Sequence, residues 1–362
     1  MIETIVIGLL CVVLAFLARY KRLSWTFPLA MVILFVFLSI RYYWGNDYEQ
    51  YIDKFTIYNA IDRFDYSDPD ERWEVGWILL YRLFQPLGFF SLVIVLSAFE
   101  IGVYYWFIKK YVPREWYWFA MFLYVFNPYF MLVHASMLRQ ALAIGLVLLS
   151  IPYIFKKRFV VAALIIVFAS LFHSSAKILL PIVFLGYLNW KMGNKGVIIG
   201  GVLFFAILLL QNIVLHMVEE TLSSLGVSKY AYYLEEGKET SELATGVGFV
   251  YQILMMCMVL YYEKKQDREI GLLFKLTALS FLFIPLGFVA QLFSRLGMYL
   301  QVPMIATYPH MVRSIDNKIV RVGSLLLIMA FTVYDFHVFF NSEIYGDFYI
   351  EYRTIFESFV WR

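Results

Sequence analysis

Apolar residues come in runs separated by short polar clusters, at 3–18, 25–40, 87–108, 115–134, 136–155, 159–172, 175–190, 196–217, 246–262, 269–291, 294–312 and 320–340. A helix crossing the hydrocarbon core of a bilayer needs about 20 such residues, and most of the runs are near that length. They predict an all-α, polytopic integral membrane protein with about 12 transmembrane helices. The polar clusters between alternate runs are basic: Arg19, Lys21, Arg22; Lys109, Lys110, Arg114; Lys156, Lys157, Arg158; Lys191, Lys195; Lys264, Lys265, Arg268; and Arg313, Lys318, Arg321. The positive-inside tendency makes these ends cytoplasmic and leaves both termini outside. The intervening segments differ. Residues 41–73 hold eight acids against four bases, and 218–245 hold six acids, two lysines and the cluster Tyr230, Tyr232, Tyr233. Both read as external loops of a single membrane domain spanning 1–362. The first apolar run, Ile5 to Leu17, is followed by no small-residue cleavage site, so it reads as a first helix and not as a signal peptide.

Composition agrees. A chain that is 62% hydrophobic, with a mean hydropathy of +0.71, holds more apolar surface than a soluble domain can bury. Aromatics at 20% suit interfacial belts and surfaces that face carbohydrate. The net charge of +3 matters less than where the charges fall. Cys11 and Cys257 lie inside apolar runs and read as packing residues, with no disulfide or metal site in view. No nucleic-acid partner is expected.

Five segments distant in the chain then place polar residues at the external ends of their helices. "SIRYYWGNDYEQY" contributes Arg41, Trp44, Gly45, Asp47, Tyr48 and Tyr51, and "ERWEVGWILLYRLF" contributes Glu71, Glu74 and Gly76 at the start of an interfacial helix. "SMLRQALA" puts Arg139 and Gln140 about one turn into a spanning helix, while "ASLFHSSAK" and "QLFSRLGMYL" add His173 and Arg295. Scattered snorkelling would favour both faces, so one-sided layering argues for an externally open cavity. The segment 159–190 must leave and return between two basic clusters. Each limb has roughly 14 residues, or about 21 Å as α-helix, against a core of about 30 Å. The turn at His173 is therefore expected below the outer surface, where irregular backbone survives only against protein or a wet cavity.

"RYYWGNDYEQY" (41–51), "ERWEVGW" (71–77), "LRQALA" (138–143) and "LFHSSA" (171–176), in that order, resemble the EpsG family, enzymes of exopolysaccharide and capsule synthesis grouped with Wzy-type polymerases. The resemblance covers the first half of the chain, and the acidic insert between Tyr51 and Glu71 departs from it. It implies a GT-C-like helical architecture in the bacterial cytoplasmic membrane, facing periplasm or cell exterior. The implied reaction moves a growing glycan from polyprenyl diphosphate onto the sugar hydroxyl of a new lipid-linked repeat unit, with no metal or other cofactor. The implied partners are the polyprenyl-diphosphate-linked oligosaccharide, the bilayer, and a chain-length regulator and flippase of the same pathway.

The residues offer matching parts. Arg139, Arg295 and Arg41 are candidates to bind the diphosphate, because a guanidinium grips phosphate oxygens in a bidentate way. His173 or Asp47 would serve as the base, with Glu74 as a substitute base or a sugar-hydroxyl partner. Gln140, Tyr48, Tyr51 and Trp44 would contact the sugars. Bland alternatives stand beside each role: Arg139 as a structural charge paired with an acid such as Glu74, His173 as a hydrogen-bonded turn residue, Asp47 as a loop cap, and Arg295 and Arg41 as interfacial anchors. Glu100 reads as a buried structural group without a named partner. A ligase using the same donor and a glycan or lipid transporter are the rival functions. Against the transporter, the polar residues gather at one face and leave the midplane bare.

Overall fold

The computed structural model describes residues 1–60, 73–224, 246–287, 291–343 and 345–357. Among them the chain is helical without strands, apart from one isolated antiparallel bridge between Arg41 and Thr354. Among the described residues, six helical segments are long and apolar enough to cross a membrane: Lys21–Ser39, Phe89–Tyr111, Leu138–Phe155, Gly193–Gln211, Arg268–Gly287 and Lys318–Phe340. Ile2–Leu17, Phe159–Ser170 and Ser174–Tyr187 are shorter apolar helices. The molecule is a polytopic membrane protein, and several expected spans are interrupted.

The run 115–134 divides into Tyr117–Phe126 and Met131–Ser136. Between them, Pro128 lacks an amide proton and biases Asn127 away from helical dihedrals, and the Asn127 side chain accepts instead from the Tyr129 amide at 3.1 Å. The run 294–312 divides at Val302-Pro303 into Gln291–Gln301 and Met304–Arg313. The expected acidic loop is not all loop either, since Tyr48–Ala60 is a helix. Tyr48, Tyr51, Phe55 and Tyr58 recur at helical spacing, so they share one face. Tyr51, Phe55 and Tyr58 pack there with Trp73, Trp77 and Tyr81 in an aromatic cluster separate from the main core. Glu71 and the acids Asp62, Asp65, Asp68 and Asp70 lie outside the described residues, as do 225–245 of the second expected loop. The Gly193–Ser224 helix runs into the start of that loop.

The segment around His173 turns where expected. Its outgoing limb, Phe159–Ser170, is a 12-residue α-helix, about 18 Å long. Its returning limb, Ser174–Tyr187, is a 14-residue 3-10 helix, which at about 2.0 Å per residue reaches further than an α-helix of the same length. Such a length is unusual for 3-10 geometry, and Pro181 inside it removes a donor the α-helix would have used.

The alternate basic clusters converge on one end of the bundle. Arg114 donates to the carbonyls of Ala18 and Tyr20, Arg268 to that of Gly186, and Lys110 and Arg313 approach Glu269 and Glu115 at 3.7 and 3.9 Å. Lys265 meets Asp316 at 2.6 Å. Deeper at this end, Lys275 and Glu263 form a buried pair at 3.6 Å. Its charges are also spent on backbone: Lys275 donates to the Leu188 carbonyl at 2.9 Å, and Glu263 accepts from the Met192 amide at 2.8 Å. The Leu138–Phe155 helix ends in this region at Lys156, and its other end carries Arg139.

Candidate active site

The site is assembled at breaks in helices. Gly45 has φ +112°, a left-handed conformation, and a Cβ there would stand 2.9 Å from the Ser136 Cβ. That approach lets the Ser136 hydroxyl donate to Asn46 Oδ1 at 2.8 Å and accept from the Asp47 amide at 3.0 Å. The Arg41–Asp47 loop is thereby tied to the Met131–Ser136 helix. After a one-residue break at Met137, the chain re-enters a helix at Leu138 and places Arg139 in its first turn. The first-turn amides of a helix lack intrahelical acceptors and carry a partial positive charge. One of them, the Arg139 amide, donates to the Tyr51 hydroxyl at 3.3 Å.

The Arg139 guanidinium donates from Nη1 to Glu74 Oε2 at 2.6 Å and lies 4.2 Å from the Trp73 ring centroid. Glu74 Oε1 accepts from the Ser174 amide at 2.9 Å, so one carboxylate links the helix start to the turn after His173. Close contact at Gly76 makes this possible. The Gly76 amide donates to the Leu171 carbonyl, and a Cβ on Gly76 would fall 2.7 Å from that oxygen. The pairing of Arg139 with Glu74 foreseen as the structural alternative is therefore present, but it does not exhaust the arginine. Its side chain remains 18% exposed, and among the described residues its buried Nε has no hydrogen-bond partner. An unmet buried donor costs about 1–3 kcal/mol, which an incoming anionic oxygen would recover.

His173 faces the same cluster. Its Nδ1 lies 2.6 Å from Ser175 Oγ and 3.3 Å from the Tyr299 hydroxyl, and those two hydroxyls are 3.1 Å apart. Tyr299 lies four residues beyond Arg295, one turn along the same helix. Gln140 donates to the Arg295 carbonyl at 2.8 Å, while its own buried Oε1 has no partner among the described residues. Arg295 and Arg139 both act electrostatically on Asp47. Burial pushes the Asp47 carboxyl above its usual range, and the two arginines only partly oppose that. Glu74 goes the other way. Burial alone would raise it, but Arg139, His173 and the Ser174 amide together hold it below the usual carboxylate range.

The structure thus brings Arg139, Gln140, Glu74, His173, Arg295 and Asp47 together, with Tyr51 beneath. Three other residues are placed differently. Arg41 is 1% exposed, and its guanidinium is committed to the carbonyls of Leu38 and Ala135 and to the Ser97 hydroxyl. Enclosed this way, with both Nη atoms spent on fixed protein acceptors, the guanidinium anchors the end of the Thr26–Ser39 helix and is shut off from a diphosphate. Trp44 is fully buried, wedged edge-on against Phe37, Tyr349 and Tyr352, with its indole donating to the Tyr349 carbonyl. It offers no ring face to a sugar. Tyr48 is 2% exposed and donates to the Arg41 carbonyl at 3.2 Å.

Sequence reasoning missed other residues. Glu100 has partners after all: the Tyr124 hydroxyl donates to it at 3.1 Å, and His134 lies at 3.9 Å. Ser136, Ser175 and Tyr299 were not singled out, although the spacing of Tyr299 from Arg295 was a usable signal. The C-terminal segment closes over the Arg41–Asn46 loop through Gly45–Phe348 and Tyr42–Arg353 backbone hydrogen bonds. It also brings Tyr345 within electrostatic reach of Asp47 and Arg295. No local pattern marks that return.

Fold and site together define a polytopic membrane protein with a cluster of arginines, carboxylates and a histidine at the end of the bundle opposite its basic clusters. Residues 24–354, nearly the whole chain, match the family model described as EpsG family, and the chain belongs to that family. No curated protein and no solved structure matches it.

Proposed function

We propose that this protein polymerises lipid-linked oligosaccharide repeat units at the external face of the cytoplasmic membrane, on a GT-C-like helical scaffold of about 12 crossings. Family membership supports a polymerase of exopolysaccharide type. The observation that carries the reading is Arg139, held at a helix N-terminus by Glu74 and Trp73 with an unspent buried donor, next to Arg295, Asp47 and His173.

In this reading the donor is a glycan on polyprenyl diphosphate and the acceptor is a sugar hydroxyl of a second lipid-linked repeat unit. The hydroxyl oxygen bonds to the anomeric carbon of the donor as the bond from that carbon to diphosphate breaks. The hydroxyl proton passes to a base, and the diphosphate leaves on its lipid. Arg139 and Arg295 neutralise the charge that grows on the departing oxygen, and the first-turn amides of the Leu138 helix add partial positive charge. This makes metal assistance unnecessary to the scheme. Glu74 is the poorest base of the three carboxylate and imidazole candidates, because its environment favours the ionised form and both of its oxygens are already bonded. Its role is to hold Arg139. The base is His173, with Nδ1 oriented by Ser175 and Tyr299, or Asp47, whose raised affinity for a proton suits proton capture. Tyr51 supports Arg139 from below, and Gln140 turns an unmet acceptor toward the sugar hydroxyls.

Extraction and sizing of lipid-linked glycans from a strain lacking the protein tests this. Accumulation of single repeat units on polyprenyl diphosphate, with long polymer absent, is the expected result. Accumulation of full-length lipid-linked polymer would mean ligation to a final acceptor. Unchanged glycan would remove the reaction altogether.

A further inference from the structure

At the basic end of the bundle, a groove of about 730 Å³ opens between the Phe89–Tyr111, Leu138–Phe155 and Phe159–Ser170 helices. Its floor and walls are apolar, including Leu146, Leu149, Val161, Leu164, Ile165 and Phe168. Val161, Leu164 and Phe168 are 38%, 63% and 51% exposed, so the groove faces the surroundings of the bundle and not its interior. One mouth is different in kind, being lined by Lys110, Lys156 and Arg158 beside the rings of Trp106 and Tyr153. Lys110 is partly neutralised by Glu269 at 3.7 Å and sits 5.3 Å from the centroid of the Trp106 ring. Among the described residues no carboxylate forms an ion pair with Lys156 or Arg158. Two uncompensated cations therefore cap an apolar channel that has indole and phenol rings at the level of the charges. This is the arrangement of an interfacial anchoring layer over a lipid-facing surface.

We propose that this groove binds an anionic phospholipid of the surrounding bilayer, with its phosphate between Lys156 and Arg158 and its acyl chains along Leu149, Leu164 and Phe168. Charge complementarity selects an anionic headgroup, because a zwitterionic lipid would bring its own cation to a mouth that already holds three. Length selects an ordinary acyl lipid. From Arg158 to Phe168 the Phe159–Ser170 helix rises about 15 Å, half of a hydrocarbon core of about 30 Å, so the channel is as deep as one leaflet. A polyprenyl chain long enough to serve as a glycan carrier would outrun it. The site is separate from the Arg139 cluster, which lies at the opposite end of the Leu138–Phe155 helix, and the inference stands whether or not the proposed polymerisation is correct.

The test is native mass spectrometry of the full-length protein released from nanodiscs of phosphatidylglycerol and phosphatidylethanolamine in equal amounts. The wild type is expected to retain phosphatidylglycerol several-fold over phosphatidylethanolamine, and the Lys156→Gln/Arg158→Gln double variant to lose that preference. The single variant Ile165→Trp, which fills the groove without touching the charges, is expected to reduce retention of the same lipid. Equal retention of both lipids by the wild type would overturn the proposal, as would a preference unchanged in the double variant. Thermal protection by inorganic phosphate equal to that given by phosphatidylglycerol would assign the cations to a free anion, and preferential retention of added undecaprenyl phosphate would assign the groove to the carrier lipid; either result removes the phospholipid.

Discussion

Two acid–base pairs sit at opposite ends of this bundle, and they are built differently. Glu263 and Lys275 are 1% and 7% exposed in their side chains, stand 3.6 Å apart, and each also bonds to a backbone group of the Leu188–Met192 connection. Glu74 and Arg139 are closer, at 2.6 Å, yet more open, at 13% and 18% exposure. Around the first pair the charges are enclosed and the neighbouring contacts are structural. Around the second lie an unmet guanidinium donor, an unmet Gln140 acceptor, a histidine, a raised aspartate and another arginine. A shorter ion pair is thus no guide to which one is structural. What separates the two pairs is exposure and the polar company each keeps, and not the length of the ion pair.

Replacing one member of each pair separates the two roles. Arg139→Ala should cut polymer formation by about 10²–10³-fold or more, the scale of losing a preorganised charge at a transition state, with protein still present in the membrane fraction. Near-normal polymer length in that variant would remove Arg139 from the diphosphate site. Glu263→Ala should do the reverse. It leaves the Lys275 ammonium buried and uncompensated, at a cost of about 3–5 kcal/mol, so the yield and thermal midpoint of detergent-purified protein should fall while activity per folded molecule persists. A Glu263→Leu/Lys275→Met double variant should recover most of that stability. Failure to recover would mean the pair does more than fill space.

Within the open cluster, His173→Ala should lower the rate by about 10²-fold, as expected for loss of a general base. A mild effect would move that role to Asp47. The pH profile then distinguishes the carboxylates. Asp47 must be ionised to take a proton, and its affinity for that proton is raised. Activity dependent on Asp47 should therefore rise through a pH above the ordinary carboxylate value of about 4, and Asp47→Asn should abolish that limb. Glu74 has the opposite sign. Its lowered proton affinity contributes stability that is complete above about pH 4.3, the unfolded value, and is lost only as pH falls through the still lower folded one. An acid limb above pH 5 that survives Asp47→Asn would move the base role from Asp47 to His173. The smallest effect belongs to Tyr299→Phe, which removes one hydroxyl shared by His173 and Ser175 and should cost only several-fold in rate, with a shift of the pH profile.

The sequence by itself determined a great deal here. Long apolar runs require lipid or a partner helix, and alternating Lys and Arg clusters require a common aqueous side; the contacts joining Arg114 to Tyr20 and Arg268 to Gly186 show those clusters sharing one end. The cluster of Arg139, Glu74 and His173 was legible because charged groups inside apolar helices are costly and so have a reason to be there. Tertiary structure alone decided the rest. Arg41 and Trp44 have the residue types of a binding site, yet the returning C-terminal segment and the carbonyls of Leu38 and Ala135 enclose them. Tyr299 looked ordinary in its helix and proved to be a partner of His173, 126 residues away. A run of letters carries the cost of burying a group, since that cost is local; which group meets it depends on segments that the chain brings together only on folding.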